Sequence, residues 1–87
     1  MKVVAKAIEM IAWTDTKGNI NPVRFKLTKE DESSSVIKID KVISVDKERF
    51  AGNNMLVYNC QSVINEVDRI YQLKYEISTC KWMLFKI

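Results

Sequence analysis

The chain contains no histidine, and its 87 residues include only two glycines, one proline and two cysteines. Each shortage removes a class of chemistry. Without histidine, the side chain that most often serves as general base and metal ligand near neutral pH is missing, which excludes Ser-His-Asp and Cys-His centres and zinc sites built on imidazole. Gly18 and Gly52 stand far apart, whereas a loop that cradles phosphate needs several glycines within a few residues. Cys60 and Cys80 form no CxxC pair, so two free thiols are expected rather than a disulfide or a metal clip. No apolar run is long enough to cross a bilayer, and Lys6 and Glu9 interrupt the stretch that a secretory leader would need. The expectation is a cytoplasmic protein with no membrane span, no cofactor and no metal.

What is present describes one small globular domain, residues 1–87. Hydrophobic residues make up 47% of the chain and charged residues 29%, a globular rather than a disordered balance. At 10.1 kDa, surface scaling predicts roughly 5,300 Å² exposed after folding. The net charge of +3 is too small to diagnose a polyanion partner, but it is unevenly spread. Residues 1–27 carry five Lys or Arg against two acids, residues 69–87 four against one, while 28–35 and 51–68 each net −2. Neighbouring first and last strands would therefore create a basic edge.

A two-residue rhythm dominates the pattern. Tyr71, Leu73, Tyr75 and Ile77 alternate with Ile70, Gln72, Lys74 and Glu76, and Trp82 to Ile87 follows a polar break, which predicts an antiparallel hairpin. A four-residue connection would pair Ile77 with Trp82 and Tyr75 with Leu84, placing Met83, Phe85 and Ile87 on the opposite face beside Lys74 and Glu76. A three-residue connection would exchange the two sets. The first register is preferred because it puts Trp82 with Ile77 and Tyr75.

Upstream, residues 3–14 also match a helical stripe through Val4, Ala7, Ile8 and Ile11, yet the turn cluster Asp15 to Asn19 and the alternation Val23, Phe25, Leu27 argue for a hairpin. Pro22 belongs at an edge, at a bulge or at the start of its strand. Thr28 to Ser35, holding Glu30, Asp31 and Glu32, reads as a solvated loop with carboxylates of ordinary acidity. A third strand is expected from Val36 to Asp46, where Lys41 interrupts the alternation, so that either Lys41 snorkels at the barrel's end or a bulge resets the phase. Lys47 to Asn54 is the next turn, with Gly52-Asn53 suited to positive φ. A fourth strand from Met55 to Ile64 places Leu56, Tyr58 and Cys60 on one face, and Asn65 to Asp68 returns the chain. The predicted fold is an all-β antiparallel barrel of about six strands in SH3-like or OB-like meander order.

The stretches Gly18-Asn19-Ile20-Asn21-Pro22-Val23-Arg24-Phe25, Ala51-Gly52-Asn53, Leu73-Lys74-Tyr75-Glu76 and Thr79-Cys80-Lys81-Trp82 resemble those of small all-β proteins from anaerobic Gram-positive bacteria. The resemblance spans most of the chain after residue 13. It implies a compact barrel in a bacterial cytosol and transfers no catalytic or binding residue.

With no catalytic constellation visible, a non-catalytic protein-interaction domain is expected, its partner another protein or a second copy. Met83, Phe85 and Ile87 are the candidate interaction surface, an apolar set on the outside of a terminal strand. The alternative is a nucleic-acid-binding barrel with Arg24, Lys26, Lys74 and Lys81 as its basic surface. That reading requires the four to converge on one face. A polar pocket around Glu9, Asp40 or Cys60 would instead favour an enzyme.

Overall fold

The computed structural model describes the backbone of residues 1–87 and every side chain except that of Phe50. Seven strands form, β1 (Val3–Thr14), β2 (Ile20–Thr28), β3 (Ser34–Lys38), β4 (Lys41–Phe50), β5 (Asn53–Ile64), β6 (Val67–Glu76) and β7 (Lys81–Lys86), and there is no helix among the described residues. Every ladder is antiparallel, and the strands stand in the order β3-β2-β1-β7-β6-β5-β4. Taken as a ring, this is an up-and-down meander in which β1 meets β7 and only the junction of β3 with β4 carries no ladder. The result is a curled half-barrel, the all-β antiparallel architecture expected.

The strand count exceeds six because one extended run changes partner. β3 and β4 are separated only by Ile39 and Asp40, where the Ile39 amide donates to the Val23 carbonyl at 2.9 Å and the Asp40 amide to the Gln61 carbonyl at 3.0 Å. The first half of the run therefore pairs with β2 and the second half with β5. The single strand expected over 36–46 is corrected to this broken run over 34–50. Its bulge lies between Val42 and Ser44 and adds Ile43, a phase reset of the kind that the interruption at Lys41 implies. β1 divides in the same way, pairing with β7 from Val3 to Ile8 and with β2 from Glu9 to Thr14. Two sheets thus share β1, and the curl follows from strands that serve both.

Turn chemistry sets the register of each hairpin. Asp15 caps its own turn by accepting from the Lys17 and Asn19 amides, both at 2.9 Å. The turn expected over 47–54 shrinks to Ala51-Gly52, with φ of +50° and +85°, and Asn65-Glu66 makes a second two-residue turn with φ of +50° and +66°. Positive φ at both central positions is the type I′ geometry, whose twist matches that of the flanking strands. Pro22 lies opposite Ala12 beside a bulge, as its missing N–H requires.

In the last hairpin the loop is Ile77 to Cys80, which pairs Tyr75 with Trp82 and Glu76 with Lys81. The expected pairing of Ile77 with Trp82 is therefore corrected by two residues. Because the correction is an even number, Trp82 and Leu84 still face inward and Met83 and Phe85 outward. A bulge at Phe85, between the Leu73–Leu84 and Gln72–Lys86 pairs, then reverses the phase. Ile87 consequently packs against the core instead of joining Met83 and Phe85.

The core lies between the two sheets: Phe25, Ile37 and Ile39 on one side, Tyr58, Cys60, Tyr71, Leu73, Trp82 and Leu84 on the other. Phe25 meets Tyr71 edge to face at 5.7 Å, and Trp82 packs against Tyr58 at 5.2 Å and Tyr75 at 4.7 Å. Each fully buried side chain of this size contributes roughly 1.5–3 kcal/mol relative to exposure. The Ser62 hydroxyl donates to the Lys38 carbonyl at 2.7 Å, so the Tyr71 hydroxyl, 2.6 Å away, donates its own proton to Ser62. This chain of hydroxyls fastens the point where the run switches partner. The accessible surface, 6106 Å², exceeds the roughly 5,300 Å² expected from size, as befits a barrel with an open seam.

Candidate interaction surface

Both sheets expose an outer face that mixes apolar and basic side chains, and the two are finished differently. On the β4–β7 side, Val57, Lys74 and Met83 stand opposite one another on neighbouring strands. Lys74 is 8% exposed. Its ammonium lies 2.8 Å from a Glu48 carboxylate oxygen and 3.8 Å from the centre of the Phe85 ring, with Lys86 at 5.5 Å from that ring. Met55 and Val57, although on the outer side of β5, are buried. The long lysine stem roofs the Met55–Val57 end of this face and its charge is answered by Glu48 and the aromatic ring, while Val63 and Ile70 at the other end stay exposed.

No such roof covers the outer face of β1, β2 and β3. Register places Glu9, Lys26 and Val36 in one row, Ile11, Arg24 and Lys38 in the next, and Trp13 beside Asn21 beyond them. Ile11, Trp13 and Val36 are 62%, 57% and 65% exposed. A depression of about 340 Å³ is lined by Glu9, Ile11, Arg24, Lys26 and Val36. Among the described residues only Lys26 of these cations has an ionic neighbour, Glu9 at 3.8 Å, an exposed pair of little energetic weight. The surface interleaves apolar and cationic side chains, with Arg24 and Lys26 on the middle strand between Ile11 on β1 and Val36 on β3.

Two grooves mark where the barrel fails to close. One, of about 560 Å³, separates the β1–β2 turn and Ile20 from Val45, Lys47, Leu56 and Tyr58, and the Tyr58 hydroxyl spans its floor to the Ile20 carbonyl at 2.6 Å. The other, of about 400 Å³, separates Ser35 to Lys38 from Val63, Ile64 and Asn65. Neither assembles reactive groups. Cys60 is wholly buried and its thiol is pushed up to about 12 by burial, so it stays protonated at neutral pH. Cys80 is exposed, and both thiols are free. Among the described residues no three His, Cys, Asp or Glu side chains gather as a metal site requires. In the acidic loop, Asp31 is held below the usual carboxylate range by the Ser33 hydroxyl and amide, which corrects the expectation of ordinary acidity.

The residues singled out from the sequence scatter over these surfaces. Met83 and Phe85 are half-buried on the roofed face, while Ile87 turns inward. Arg24 and Lys26 sit together on the open face of β2. Lys74 belongs to the roofed face, and Lys81 lies opposite Glu76 at the start of β7. These four cations therefore do not form one surface. Trp13, Ile11, Val36 and Lys38 were not singled out, although a signal existed: Glu9 marks its alternation phase in β1 as the solvent side, and Ile11 and Trp13 share that phase. Set against known protein families, curated proteins and solved structures, the chain matches none. No helix is long and apolar enough to cross a membrane.

Proposed function

We propose that this chain is a non-catalytic protein-interaction domain of the cytoplasm, and that its partner covers the outer face of β1, β2 and β3. The observation that carries the reading is three large apolar side chains, Ile11, Trp13 and Val36, each more than half exposed on one sheet face. Apolar groups of this size, interleaved with arginine and lysine, are costly to leave in water and are what a protein interface covers. Arg24, Lys26 and Lys38, standing among these apolar groups, select a partner that presents acidic side chains between apolar ones. Trp13 and Arg24 are the expected hot spots by residue type.

The test is affinity capture from the native cytosol with the wild-type chain, Trp13→Ala, Arg24→Glu, and Lys81→Ala as a control away from the face. A protein retained by the wild type and the control and lost from the other two supports the reading. Identical captured sets from all four would sink it. A nucleic-acid partner is the second reading, favoured by Trp13 lying beside Arg24, Lys26 and Lys38. It is the weaker one, since bases stack on aromatic planes and two of the three apolar groups are aliphatic. Salt-dependent binding of single-stranded oligonucleotides that disappears in Trp13→Ala would raise it to first place.

A further inference from the structure

The open seam leaves two stretches of strand edge without a neighbour, and their chemistry differs. Along β4 the free edge reads Lys41-Val42-Ile43-Ser44-Val45-Asp46-Lys47-Glu48-Arg49-Phe50. Pairing with a second copy in one continuous antiparallel sheet requires a two-fold axis perpendicular to that sheet, so each symmetric register centres on a residue. Centred on Ser44 the register sets Lys41 against Lys47, and centred on Val45 it sets Lys41 against Arg49. Centred on Asp46, Lys47, Glu48 or Arg49 it sets that residue against itself. Centred on Lys41 it again sets a lysine against itself, and centred on Val42 or Ile43 it meets the bulge. Every register centred from Lys41 to Arg49 is penalised by like charge or by a broken ladder.

The β3 edge carries no such defence. The Ile39 amide donates to the Val23 carbonyl and the Lys29 amide to the Ser33 carbonyl. Since an antiparallel ladder alternates, Ser35 and Ile37 direct their backbone groups at β2 while Ser34, Val36 and Lys38 direct theirs away. The Lys38 carbonyl does so visibly, accepting from Ser62 on β5. Beyond that point the groove of about 400 Å³ parts β3 from Val63, Ile64 and Asn65, and the outward amide and carbonyl of Ser34 and Val36 have no backbone partner among the described residues.

We propose that two copies of this chain pair through β3, antiparallel and centred on Ser35. In this register Ser34 of each copy exchanges both backbone hydrogen bonds with Val36 of the other, four in all, and the occupied Lys38 carbonyl is not needed. No like charges oppose one another within the ladder. The acidic tip of one hairpin, Glu30 to Glu32, is carried towards Lys38 of the other, so the charges are complementary. A perpendicular axis keeps both open faces on the same side, and the pair would offer two Ile11–Trp13 surfaces together. In that respect the pairing extends the interaction reading, but its test does not depend on that reading. The edge is short, so the dimer is weak and concentration-dependent.

The register is tested by cross-linking in a Cys80→Ser background, which leaves only buried Cys60. Ser35→Cys places two thiols across a non-hydrogen-bonded pair about 4.5 Å apart at Cα, inside disulfide reach. It is expected to give a covalent dimer under mild oxidation, whereas Val36→Cys, offset diagonally by two residues, is expected to give at least about tenfold less. Sedimentation across a hundredfold concentration range supplies the second readout. Val36→Pro removes an amide that β2 does not use and that the dimer uses twice, and should weaken association about thirtyfold. A chain that remains monomeric throughout and yields no Ser35→Cys disulfide overturns the proposal. Equal cross-linking at positions 35 and 36 overturns the register. Partner capture through Trp13 and Arg24 can succeed or fail independently of both.

Discussion

The outer faces of the two sheets begin from similar material and end in opposite states. Over β4 to β7, a lysine lies flat across Phe85 with Glu48 at its ammonium, and Met55 and Val57 disappear beneath the neighbouring side chains. Over β1 to β3, Arg24 and Lys38 stand beside Ile11 and Val36 without an ionic partner among the described residues, and the apolar groups stay in water. The difference is one acid in the right place. Glu48, standing opposite Met55 on β4, gives Lys74 a reason to lie down, while Glu9 engages only Lys26 at 3.8 Å. A face can therefore be closed by its own long side chains or left for a partner to close, and apolar content alone does not decide which.

The largest expected effect would erase the comparison by removing the core both faces share. Burial pushes the Cys60 thiol and the Tyr58 phenol up to about 12, from 9.0 and 10.0, and raises Tyr71 as well. The unfolded chain loses these protons at lower pH than the folded one. The stabilisation they reflect is complete below pH 9 and is lost as pH rises from about 9 to 12. Urea midpoints at pH 8, 10 and 11 should fall in that order, and Cys60→Val should flatten the first step.

Next comes the contrast itself. Phe85→Ala is expected to cost about 2–3 kcal/mol, because the ring supports both Lys74 and the residues under it, while Trp13→Ala should stay within about 0.5 kcal/mol. Urea titration of the two variants decides it, and equal losses would mean that both faces are closed. Of similar size is the clasp at the partner switch, where Ser62→Ala strands the Lys38 carbonyl and the Tyr71 hydroxyl at a cost of about 1–3 kcal/mol. Sharpening the roof further, Lys74→Met should be neutral or stabilising by about 1 kcal/mol, whereas Glu48→Ala, which leaves the ammonium without its carboxylate, should cost about 1–2 kcal/mol. The smallest effect concerns neither face: Ala51 holds φ at +50°, and Ala51→Asn should gain about 0.5–1 kcal/mol in the same titration.

Much of this architecture was readable in the residues. Alternation located the strands, turn composition located the hairpin ends, and Pro22 announced its bulge, because side-chain phase and missing donors act within a few residues. The errors cluster where phase is reset. The bulges at Ile43 and Phe85 each add one residue and reverse everything downstream; the second sent Ile87 inward. The break at Ile39–Asp40 has no local breaker, for it arises where the run leaves β2 at the Val23 bulge and takes up β5 at Gln61. The open face was partly legible through Glu9, but its neighbours Val36 and Lys38 enter it only by cross-strand register.

Local covalent rules and periodicity, acting on the sequence alone, determined an all-β chain, its hairpins, and the want of histidine and glycine chemistry. Tertiary structure decided which apolar groups are covered, because coverage depends on the reach of one side chain over another several strands away. It also decided which strand edge is left open, since that depends on where two sheets stop sharing a strand.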